Sequence, residues 1–193
     1  MVLLLLGGLL GACACPPEAR LLAERPDFRT PEAAARSFLA AVACDDPKAE
    51  YRCLAEDLKR ETGATLDAWM LGRVEARREI GEFLLGRALR LEHLASTPGE
   101  EGVRTVWGLG GRPRLGLLMV PQHYFDLYDA EGPLAGRLLD RPPAAWLKAE
   151  DGTLRLEIPG ALPRRFPGFA GATRFELGTE WKVRRIEALD SRG

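Results

Sequence analysis

The spacing of apolar residues changes once along this chain, near Gly86, and that change limits the folds open to it. Before it, apolar side chains recur at the intervals of helices that bury one face. After it they alternate, as on strands with one buried side. In "TPEAAARSFLAAVA", Thr30 suits the N-cap, Pro31 the first turn, and Ala34, Phe38, Leu39 and Val42 form a stripe. "CDDP" ends that helix and starts a second, capped by Asp46, with Tyr51, Leu54, Ala55 and Leu58 at helical spacing. A third helix, capped by Thr65, carries Leu66, Trp69, Met70, Val74, Ile80 and Leu84 near one side and ends at Gly86.

Beyond Gly86, Leu89, Leu91 and His93 alternate with Arg90, Glu92 and Leu94, and Val103, Thr105 and Trp107 follow the same rule after a turn at Thr97-Pro98-Gly99. A further strand is expected from Leu115 to Val120, with Pro121 ending or bulging it. "DAEGPLAGRLLDRPP" reads as a loop, "AAWLKAEDGTLRLEIPG" as a hairpin turning at Asp151-Gly152, and "TRFELGTEWKVRRIEAL" as a last hairpin turning at Gly178. Helices first and antiparallel strands afterwards predict a segregated α+β fold: three N-terminal helices packed on a curved antiparallel sheet.

At 193 residues the chain suits one domain. Its formal net charge of −1 offers no overall positive field for nucleic acid, so no nucleic-acid partner is expected. No zinc spacing is present, because no CxxC pair occurs and His93 and His123 lie far apart in sequence; no metal and no cofactor is expected. No Ser-His-Asp order, glycine-rich phosphate loop or specifiable carboxylate pair is found either.

From Val2 to Ala12 there is no polar or charged side chain. This run falls well short of the roughly 20 residues that span a bilayer, its glycines disfavour a buried helix, and Pro16-Pro17 follow at once. Leu10-Gly11-Ala12-Cys13 resembles the lipobox of bacterial lipoproteins, in which a branched residue and two small ones precede the modified cysteine. No Lys or Arg precedes the leucines, a departure from the usual start of such a signal. The resemblance implies removal of residues 1–12, a diacylglyceryl group on the sulfur of Cys13, and a membrane partner reached through that lipid. Anchoring by two or more acyl chains is stable where one chain is reversible. The expected location is then the bacterial cell envelope, with the domain on the periplasmic or extracellular side. Residues 13–29, with three prolines, read as a tether reaching roughly 20 Å, and residues 30–190 as the domain.

An exported chain can oxidise its thiols. Cys44 and Cys53 are the candidate disulfide, although helical rise puts Cys53 roughly 10 Å above the turn, beyond the Cα separation of about 7 Å that a disulfide bridges. Two buried free thiols are the alternative.

"TPEAAARSFLAAVACDDPKAEYRCLAEDLKRE" at the front and "GTEWKVRRIE" at the back resemble the NTF2-like, or cystatin-like, α+β superfamily. The resemblance implies a cone-shaped cavity between sheet and long helix, which some members use to bind small molecules, some for isomerisation or hydrolysis, and others only to pack or dimerise. The stretch "VPQHYFDLYDAEG" departs from that pattern. Trp69, His93 and Trp107 are the candidate cavity-lining residues: the indoles offer flat amphipathic surface and the imidazole a group that titrates near neutrality. Each has an ordinary alternative as core packing. Tyr124, Asp126 and Tyr128 share one strand face, with His123 on the other, and tyrosine beside a carboxylate can polarise a carbonyl and move a proton. No catalytic residue is assigned. The expectation is a lipid-anchored envelope protein that binds a small molecule or scaffolds an envelope protein, homodimerisation remaining open, with a small cavity enzyme of isomerase, cyclase or hydrolase type as the alternative.

Overall fold

The computed structural model describes residues 15–80, 87–129, 131–139, 153–157 and 171–189. Cys13 with the expected lipobox, Leu84, Gly86 and the turn expected at Asp151-Gly152 lie outside them. The described residues form an α+β fold in which five helices come first and a curled antiparallel sheet follows.

The helices are α1 (Pro17–Glu24), α2 (Pro31–Ala43), α3 (Pro47–Cys53), α4 (Glu56–Glu61) and α5 (Leu66–Ile80). The predicted caps form: Thr30 Oγ1 accepts from Ala33 N, Asp46 Oδ1 from Lys48 and Ala49 N, and Thr65 Oγ1 from Ala68 N, each satisfying donors that a helix start leaves open. Two expectations are corrected. The stretch expected to be a tether holds α1, which buries Ala19 and Ala23 and packs along α2. The expected second helix divides at Leu54, which turns extended, bridges Val183, and leaves Ala55 N to donate to the Val183 carbonyl. A fully buried Leu54 and a backbone bond to the sheet outweigh continuation of the helix.

The cysteines are corrected as well. Cys44 pairs with Cys15, their Cα atoms 4.6 Å apart, and Cys53 stays a buried free thiol, so the expected Cys44–Cys53 bridge is not formed. Burial pushes the Cys53 thiol up to about 12.

The strands are β1 (Glu92–Pro98), β2 (Val103–Leu109), β3 (Arg112–Tyr128), β4 (Pro133–Leu139), β5 (Thr153–Glu157) and β6 (Arg174–Ala188), ordered β1-β2-β3-β6-β5, with β4 also paired to β3. β3 runs straight through Pro121. Its partner Trp181 directs its N–H to the Phe28 carbonyl, away from β3, so the proline nitrogen faces the gap between β2, whose first residue Val103 lies opposite Met119, and β4, whose last residue Leu139 lies opposite His123. A missing donor costs nothing there. The expected loop after Tyr128 holds β4 instead. β6 likewise runs unbroken through Gly178, which is no turn: a Cβ there would stand 2.6 Å from Tyr124 Oη, so the glycine makes room for a ring. The core lies where α2 meets the sheet, with Phe38, Leu39 and Val42 against Trp107, Leu115, Leu117, Met119 and Val183.

Candidate functional site

The three residues expected to line a cavity do not meet in one. Trp69, on α5, is half-buried, and its Nε1 donates to Glu50 Oε2 at 3.1 Å beneath α3. The Glu50 carboxylate is almost fully buried and also takes Arg73, which reaches on to Asp45, so α5 is clamped to α3 by charge. Trp107 is wholly buried, its Nε1 donating to Thr105 Oγ1 at 3.0 Å. His93 does not share a strand face with Leu89 and Leu91, since Ala88–Arg90 form a 3-10 turn and β1 begins only at Glu92. The exposed imidazole packs edge-on to Trp107, 5.3 Å between centroids, and bonds Ser96 Oγ at 2.9 Å, which donates in turn to Glu32 of α2. His93 and Trp107 are thus neighbours, one as surface latch and the other as core, and Trp69 belongs elsewhere.

An open groove of about 580 Å³ lies between the α1–α2 connection and the β3-β6-β5 end of the sheet. Leu21, Leu22, Pro26 and Phe28, interspersed with Arg25, Asp27 and Arg29, supply one wall; Tyr124, Thr153, Arg155, Thr179 and Glu180 supply the other. The sheet wall follows from register. Tyr124 lies opposite Gly178 and Gly178 opposite Thr153, and two residues along, Asp126, Glu176 and Arg155 make the next row. Cross-strand partners share a face, so Tyr124, Asp126 and Tyr128 stand together as alternation predicted, with His123 on the far side against Thr179 Oγ1 at 2.9 Å.

Tyr124, Glu176 and Arg155 are joined within these rows. Tyr124 Oη donates to Glu176 Oε1 at 3.3 Å, Arg155 pairs with the same oxygen at 3.3 Å, and Arg174 stacks over Tyr128 at 4.2 Å. Lys182 pairs with Glu180 at 2.7 Å, donates to the Arg52 carbonyl at 3.1 Å and sits over the Phe28 ring, so it braces both walls of the groove from beneath. Burial raises Tyr124 far above the ordinary phenol, and Glu176 and Glu180 add to it. Burial, then Glu180 and Glu176, raise Asp126 above the usual carboxylate range. Burial lowers Lys182 and His123. Chemically the groove offers a wall of apolar and charged side chains facing Tyr124, Thr153 and further charged groups, an arrangement that orients a small amphipathic molecule. Among the described residues no group of three His, Cys, Asp or Glu side chains is placed to hold a metal.

Sequence reasoning missed Phe28, Arg155, Glu180 and Lys182. The signal was the charged alternation Glu176, Glu180, Lys182, hidden once Gly178 was taken as a turn. No family model matches the chain, and neither a curated protein nor a solved structure does.

Proposed function

We propose that this is an exported lipoprotein, anchored through Cys13 at the bacterial cell envelope, whose NTF2-like domain binds a small molecule in the groove between α1–α2 and the sheet. One observation carries the proposal: the Cys15–Cys44 disulfide directly after the lipobox. Such bridges persist in oxidising compartments outside the cytosol. The disulfide also consumes the Cys15 sulfur, and a sulfur in a disulfide cannot carry a thioether-linked lipid, so the anchor falls to Cys13. The groove volume lies within the range of small-molecule sites. The NTF2-like assignment rests on the terminal segments and agrees with helices preceding a curled antiparallel sheet.

The test is intact mass and membrane fractionation of the protein expressed in a bacterium, beside Cys13→Ala. Wild type carries a lipid-sized mass and pellets with membranes; the variant loses both. Wild type that stays unmodified and soluble overturns the proposal. One observation favours an isomerase-type enzyme as the alternative: Asp126, whose carboxyl burial raises above its ordinary value, shares a sheet face with Tyr124.

A further inference from the structure

We infer that one end of the domain, made of the Cys15–Cys44 bridge and the outer face of α5, rests on the bilayer; this rests on the Cys13 anchor proposed above. The chain from Cys13 to Cys15 spans at most about 7 Å between Cα atoms. Cys15 is then bonded to Cys44, and α1 lies packed on α2. The lipid-bearing residue is therefore stapled to the α2–α3 turn, with no free leash between lipid and domain.

Three other helices meet at that turn. α2 ends there, and α3 begins at Pro47 just beyond it. α5 runs back along α3 toward it: Tyr51 Oη donates to the Ala64 carbonyl ahead of α5, Trp69 reaches Glu50, and Arg73 reaches Asp45 at 2.8 Å, next to Cys44. On this helix Met70, Leu71 and Val74 are 44%, 81% and 58% exposed, half of the exposed large apolar side chains among the described residues. An apolar patch beside a covalent lipid needs a partner without competing water, and the acyl and headgroup boundary supplies it. The occupant is thus the phospholipid surface to which the anchor is bound.

The test uses the full lipoprotein in phospholipid vesicles. Trypsin without reductant gives the lipidated fragment 13–20 joined to fragment 37–48, separable by dithiothreitol. Hydroxyl-radical footprinting then compares this protein with the unlipidated Cys13→Ala form beside the same vesicles. Met70 and Leu71 lose labelling only when anchored, while Leu156 on β5 keeps it. Cys15→Ser, or reduction of the wild type in place, restores labelling at Met70 and Leu71 with the lipid retained. A lipidated protein whose Met70 and Leu71 label as in Cys13→Ala overturns the inference and leaves the anchor standing; so does protection that survives Cys15→Ser and reduction. An unlipidated residue 13 overturns the anchor itself.

Discussion

Gly178 is where a single residue decides most. It sits mid-strand in β6, where glycine ordinarily weakens a sheet, because the Tyr124 ring lies across it and a Cβ would stand 2.6 to 2.8 Å from three ring-end atoms. Tyr124 cannot swing away freely, being half-buried and bonded to Glu176. Gly178→Ala is therefore expected to destabilise the fold by about 1–3 kcal/mol, the usual cost of overpacking. Urea unfolding reads it, and an unchanged midpoint would mean that the ring gives way. The residue's identity was plain in the sequence, but its reason was not: a glycine between alternating residues looks the same whether it makes a turn or admits a neighbour's ring.

Between elements, polar contacts do the fastening. α5 is fixed to α3 through Glu50, which is 2% exposed and holds both Arg73 and Trp69 Nε1. Glu50→Gln weakens charge-assisted bonds at a buried site while Arg73 keeps Asp45, so it is expected to cost about 1–3 kcal/mol in urea unfolding. α2 is fastened to β1 through Glu32, Ser96 and His93. The Ser96 hydrogen bond holds the Glu32 carboxyl below its ordinary value, against the opposing effect of burial. A folded value below the unfolded one gives stability that is present above the unfolded value and lost as pH falls through the folded value. Ser96→Ala returns Glu32 toward its ordinary value, so the decline of stability as pH falls below the ordinary glutamate value becomes shallower. An acid limb identical in wild type and Ser96→Ala would rule the latch out as a contributor.

At the scale of the whole molecule, the Cys15–Cys44 bridge ties α1 to the rest of the domain. α1 has eight residues and no side-chain N-cap, too short to persist alone, so its order depends on burial of Ala19 and Ala23 and on this closure. A loop of 29 residues' separation restricts the unfolded chain by about 3–4 kcal/mol in the loop-entropy account. Cys44→Ser is expected to lose stability of that order and to raise amide exchange across α1 while α2 stays protected. Equal exchange in α1 with and without the bridge would mean that packing alone holds it.

The helix-then-strand order, the caps at Thr30, Asp46 and Thr65, and the shared face of Tyr124, Asp126 and Tyr128 were all legible in the residues, because local hydrogen bonding and side-chain period act over a few positions. The groove was not legible. Its walls come from Phe28, Tyr124, Arg155 and Glu180, which are far apart in the chain and meet only through strand register and the docking of α1. The same holds for Cys15 finding Cys44 rather than Cys53, for Leu54 leaving its helix to bridge Val183, and for β3 passing through Pro121. Each depends on what lies across from a residue in space, and tertiary packing overrides local propensity wherever a buried contact or a sheet bond is worth more than a helix turn.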